Sequence, residues 1–97
     1  MDAIEGAPEV YEIVFENERV RVLRFVTQPG QAWPLHQHPD SVAVSLSDYR
    51  IRNTIPGYAP TERASRLGDV RWIDATSHTG QNTGDTEMVG LIVELKP

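Results

Sequence analysis

The stretch Gly30-Gln31-Ala32-Trp33-Pro34-Leu35-His36-Gln37-His38-Pro39-Asp40-Ser41-Val42-Ala43-Val44-Ser45-Leu46 combines a turn, a pair of histidines and an alternating strand. Strand side chains alternate between faces with period two. His36, His38, Asp40, Val42, Val44 and Leu46 therefore share one face, and Gln37, Pro39, Ser41, Ala43, Ser45 and Ser47 share the other. The face with the histidines is the apolar one, so both imidazoles are expected to point into the core. Two imidazoles at i and i+2 of one strand can chelate a single ion at about 2.0–2.2 Å.

Outward from this stretch the chain reads as short strands and turns. Apolar and β-branched residues cluster over 10–15 and 19–26, on either side of Glu16-Asn17-Glu18, and predict a hairpin. Pro29-Gly30 is a turn signal, and Trp33-Pro34 keeps the chain extended into His36. Downstream, residues 49–55, 70–73 and 88–95 read as strands, with turns at 56–60 and 83–86. The last strand is apolar at nearly every position and is expected to be buried on both faces. Residues 61–67 are polar and fit either loop or strand. Residues 1–9 are small, acidic and proline-containing, and are expected to form an N-terminal arm, loose or docked on a partner, outside a single domain spanning 10–97. No helix of ordinary length and no repeat is evident. The fold class is all-β, a small antiparallel sandwich or barrel.

Composition narrows the function classes. A 97-residue chain makes one domain with a modest core. It has no cysteine, so disulfides and thiolate sites are excluded and any metal must be held by nitrogen and oxygen. The net charge of −5 argues against a nucleic-acid partner. No segment has the pattern of a signal peptide or the length of a membrane span, so a soluble, cytoplasmic protein without membrane contact is expected. Nearly all the positive charge is arginine: Arg19, Arg21, Arg24, Arg50, Arg52, Arg63, Arg66 and Arg71, against the single Lys96. Solvated strand faces explain such residues; the alternative is that one or two turn inward to hold an anionic substrate. Exposed sheet edges and a small core make a homodimer the expected assembly.

The only other histidine is His78, within the polar run Thr76-Ser77-His78-Thr79-Gly80-Gln81-Asn82. Gly30, five intervening residues and then His36-Gln37-His38 resemble the first motif of the cupin superfamily without a gap. Gly68-Asp69, His78 and Asn82 echo the second motif. Asp74 and Thr76 stand where the family usually carries proline and glycine, and the run from Gly68 to His78 is one residue short. The glutamate that cupins commonly supply as a fourth ligand, four or five positions after the histidine pair, is replaced by Val42 and Ala43. By strand parity Val42 would face inward in its place.

The resemblance covers roughly residues 10–95 and implies an RmlC-like, jelly-roll β-barrel (double-stranded β-helix) with His36, His38 and His78 around a divalent transition metal: Fe, Ni, Zn, Mn or Cu. A small polar or anionic molecule would bind inside the barrel. Three neutral imidazoles leave the ion's charge uncompensated and positions open, as in the three-histidine dioxygenases among cupins, so oxygenase chemistry is the main expectation. The alternatives are a non-catalytic metal- and ligand-binding module, a metal-dependent isomerase or lyase, or a scaffold with a vestigial pocket. Asp40 shares the inward face and is a candidate carboxylate donor, or a turn residue. Asn82 fits a turn or a partner that orients His78. Arg50 and Arg52 fit either substrate contacts or the surface, and Trp33 and Trp72 fit packing.

Overall fold

A computed structural model describes all 97 residues, Met1–Pro97. One short helix and nine strands follow in order: α1 (Ala3–Gly6), β1 (Tyr11–Glu16), β2 (Val20–Thr27), β3 (Ala32–His38), β4 (Ser41–Ser45), β5 (Tyr49–Thr54), β6 (Thr61–Ser65), β7 (Val70–Ile73), β8 (Thr76–Asn82) and β9 (Met88–Leu95). They form two antiparallel sheets, β1-β2-β9-β4-β7 and β3-β8-β5-β6, packed face to face as a jelly roll. The all-β expectation holds. No helix is long and apolar enough to cross a membrane.

Local chemistry sets the strand ends. The β1–β2 turn is closed by Asn17, whose Oδ1 accepts from the backbone N–H groups of Arg19 and Val20, both at 2.8 Å. Gly30 turns the chain into β3 with φ +81°, a conformation that a Cβ disfavours. Pro34 has no N–H to give to the β3–β8 ladder, and the register shifts between Trp33 and His36. Past that irregularity His36 lies directly across from His78. The core contains Leu23, Phe25, Trp33, Ile51, Met88 and Ile92. β9 is the central strand of its sheet, and at Gly90 a Cβ would meet the Phe25 ring and, at 2.7 Å, the carbonyl of Val44.

Four expectations are corrected. First, the parity inferred across 36–46 breaks at Pro39-Asp40, where the chain leaves the four-stranded sheet and enters the five-stranded one. Inward positions resume at Ser41, Ala43 and Ser45, while Asp40 and Leu46 are exposed and Val42 and Val44 are half-buried on the outer face. Second, β9 is buried on one face only: Met88, Gly90, Ile92 and Glu94 point in, and Val89, Leu91 and Val93 are half-exposed outside. Third, the N-terminal residues are not loose. Asp2 caps α1 in a reciprocal capping box with Glu5, Ala3 and Ala7 are fully buried, and the Met1 carbonyl accepts from Gln37 N–H at 2.9 Å. The segment docks on β3 of its own chain so closely that a Cβ on Gly6 would lie 2.7 Å from that of His36. Fourth, Trp72 is 52% exposed and donates to Asp74, whereas Trp33 is buried.

Candidate metal centre

Three imidazoles meet between the sheets. The parity of β3 turns His36 and His38 inward, and the β3–β8 register sets His78 opposite them. One ligand atom from each lies within 4.8 Å of the others. The Nδ1 of each ring is engaged by an oxygen acceptor: His36 by the Pro34 carbonyl at 2.9 Å, His38 by Glu94 Oε2 at 2.7 Å, and His78 by Asn53 Oδ1 at 2.9 Å. Nδ1 therefore carries the proton in each ring, which puts the lone pair at Nε2. The Nε2 atoms of His36 and His38 are 3.1 Å apart. That is the separation expected of two ligands about 2.1 Å from one ion at roughly a right angle. Without a cation between them the two lone pairs repel, so the donor set fits a divalent transition ion.

Burial favours the neutral form of His36 and His78. It lowers the pKa of His36, against the opposing pull of the Pro34 carbonyl. It pushes His78 down to about 3, assisted by the neighbouring His36 and His38. Neutral imidazole is the ligating form.

Glu94, on β9, is 2% exposed and was not singled out from the sequence. Burial alone would raise its pKa, but hydrogen bonds from His38 and Arg21 outweigh that and hold it below the ordinary value. Arg21 meets Glu94 Oε1 at 2.8 Å and Asp2 Oδ2 at 3.1 Å, so a charge relay runs from the N-terminal cap to the back of His38. Glu94 does not replace the missing fourth ligand. It fixes the His38 tautomer and the orientation of the ring. Tyr11 is the other unforeseen neighbour. Its buried hydroxyl lies 3.1 Å from His36 Nε2, to which it can donate when no ion is bound, and burial raises the pKa of its phenol.

A cavity of about 230 Å³ opens beside the histidines. Phe25, Trp33, Ile51, Ile73, Met88 and Ile92 form apolar walls, and His38, His78, Tyr11, Asn53, Arg63 and Arg71 supply the polar lining. Ala43 lines it too, at one of the positions where a fourth ligand was sought. The remaining expected contributors lie elsewhere. Asp40 is exposed, its Oδ1 accepting from the N–H of Ala75. Asn82 is fully buried but closes the turn before β9, donating to the Thr86 carbonyl at 2.9 Å. Asn53 has the orienting place at His78. Arg50 is exposed, and Arg52 pairs with Glu62 on the surface at 3.5 Å. The arginines that reach the cavity are Arg63 and Arg71.

No protein-family model and no curated protein matches the chain. Solved structures do. A cupin domain from Bordetella pertussis Tohama I is 26% identical over 95% of each chain, with a TM-score of 0.83. An RmlC-like cupin family protein with a double-stranded β-helix fold from Methanocaldococcus jannaschii is 16% identical, with a TM-score of 0.71 over 89% of this chain and 78% of that one. A DMSP lyase from Ruegeria pomeroyi DSS-3 is 16% identical, with a TM-score of 0.65 over 95% of this chain and 53% of that one.

Two outcomes follow. Glu94→Gln should weaken metal binding about 10–100-fold, the range for losing a carboxylate behind a ligating histidine, as read by competition with a chromophoric chelator. An unchanged affinity would remove Glu94 from the site. In chelator-stripped protein, the unfolded chain takes up protons at His78 near its ordinary value of 6.5, the folded chain only near 3. Stability should therefore fall as pH drops from 6.5 toward 3. Glu94 acts in the same direction, since its contribution is present above 4.5 and is lost as pH falls through its lowered folded value. Urea midpoints across this range test the slope, and His78→Asn should flatten it.

Proposed function

We propose that this small single-domain cupin-superfamily fold holds one divalent transition ion on His36, His38 and His78 and binds a small polar or anionic molecule beside it in the cavity. The observation that carries the reading is the convergence of three imidazoles, one ligand atom of each within 4.8 Å of the others, with each Nδ1–H engaged elsewhere so that the lone pair is at Nε2. When bound, the ion supplies Lewis acidity and open coordination positions. The chain's own residues do the rest: Glu94, Asn53 and the Pro34 carbonyl orient the imidazoles, and the apolar walls exclude water. Metal and small-ligand binding is the reading that the geometry supports best. Lyase or isomerase chemistry is second, supported by Tyr11, whose hydroxyl lies beside the histidines on the cavity lining, where it can hold a proton toward a bound molecule. The same frame carries a DMSP lyase in R. pomeroyi, a likeness of fold alone. Oxygenase chemistry rests on the three-histidine donor set.

Protein purified without chelator and offered Fe, Ni, Zn, Mn and Cu separately should retain close to one ion per chain by elemental analysis. His38→Ala should weaken binding further than Glu94→Gln does. Stoichiometric retention of none of the five overturns the reading. Turnover of any small substrate that is lost in His38→Ala would favour catalysis over binding alone.

The outer face of the five-stranded sheet supports a homodimer. Register places Trp72, Val42, Val93, Val22 and Phe15 in one row across all five strands. Phe15 is 54% exposed and Val70, in the adjoining row, 66%. A two-fold contact would lay this apolar band on itself. Light scattering after size exclusion should give twice the chain mass, and Val42→Asp should give monomer. A wild-type monomer at high concentration removes the dimer.

A further inference from the structure

The cavity reverses the charge of the protein that surrounds it. The chain carries 14 acidic residues and a net charge of −5, yet neither Asp nor Glu lines the cavity. Two arginines do: Arg63 on β6 and Arg71 on β7, both half-buried. Neither belongs to an ion pair, although Arg21, Arg24 and Arg52 each meet a carboxylate. Arg63 makes one long side-chain bond, 3.4 Å to Ser65, and Arg71 makes none. They come from the two different sheets and converge on one space, near enough to repel each other and His78. The indole N–H of Trp33, on the same lining, is buried without an acceptor. Two like charges held together at a half-buried site, with no protein anion between them, are an unfavourable arrangement unless an anion arrives.

We infer that Arg63 and Arg71 form the carboxylate-binding end of the cavity, so that the ligand is a small organic carboxylate with an apolar body lying between the arginines and the histidines. A guanidinium fork matches a planar carboxylate through two parallel hydrogen bonds, and the apolar walls suit a hydrocarbon portion rather than a polyhydroxylated one. The volume of about 230 Å³ limits that body to a few carbons or one ring. This inference deepens the metal-site reading by naming its ligand class. Its test separates the two.

Butyrate and benzoate, their neutral counterparts butyramide and benzamide, and inorganic phosphate are titrated by calorimetry into metal-loaded and chelator-stripped protein. The carboxylates should bind both forms and the amides neither, with phosphate weaker than the carboxylates. Arg71→Gln and Arg63→Gln should each weaken carboxylate binding about ten-fold or more while retaining wild-type metal content, which also reports that the variant is folded. Arg71→Lys, which keeps the charge and loses the fork, should fall between wild type and Arg71→Gln. Amides that bind as well as acids, phosphate that binds more tightly than either carboxylate, or arginine variants with unchanged affinity would each overturn the inference. A chain that takes up no metal but still prefers acids over amides through Arg71 would overturn the metal-site reading and leave this one standing.

Discussion

The hydrogen bond between His38 Nδ1 and Glu94 Oε2, 2.7 Å long and almost fully buried, is the constraint around which the structure is arranged. Its partners stand on strands of different sheets, β3 and β9. The bond therefore sets the local spacing of the sandwich and the tautomer of His38 together. A buried carboxylate needs compensation, which comes from Arg21 on β2, the strand beside β9. Arg21 in turn holds Asp2, and Asp2 caps the helix whose glycine lies against the backbone of His36. The N-terminal turn is in this way part of the support of the site.

How much of this was legible in the sequence depends on the range of the interaction. The histidine pair was legible because period-two alternation is local, and the strand limits 49–55, 70–73 and 88–95 fell close to the observed ones because turn residues punctuate them. Parity failed two residues beyond the strand end, at Asp40. A corner between sheets looks, in one dimension, like a continued strand, and Pro39-Asp40 was its only mark. Glu94 was invisible for a different reason. It sits near the end of an apolar strand, where a lone carboxylate reads as an exposed terminal residue, and its partner is 56 positions away. Arg63 and Arg71 were hidden among eight similar arginines, since no local pattern distinguishes a guanidinium facing a cavity from one facing solvent. β8 was missed as a strand because its inward residues, Thr76, His78, Gly80 and Asn82, give no apolar alternation.

The interior is divided between packing and chemistry. Apolar core residues such as Leu23, Phe25 and Ile92 lie alongside buried Thr27, His36, His38, Ser41, Ser45, Ser65, Asn82 and Glu94. In a 97-residue chain that is a large polar share of a small core. The polar groups away from the histidines are mostly satisfied locally, as Ser41 by the Pro39 carbonyl and Ser45 by Tyr49. Those near the histidines are satisfied only in part, with two Nε2 lone pairs opposed at 3.1 Å and the Trp33 N–H unpaired. Unfavourable contacts are thus concentrated where a ligand can relieve them.

That concentration connects stability to occupancy. Holding His36 and His78 neutral and close to His38 works against folding, because the unfolded chain can protonate or separate them freely. A cation seated between the lone pairs turns their repulsion into attraction, and binding to the folded state alone adds stability by mass action, about 2.7 kcal/mol at a hundred times the dissociation constant. The arginine end follows the same logic with the sign reversed, since an anion relieves what Arg63 and Arg71 impose on each other. A cation on the histidines and an anion on the arginines would attract across the cavity, so each should favour the other's binding. In so small a barrel, an anion would supply the negative counter-charge that the lining itself does not contain.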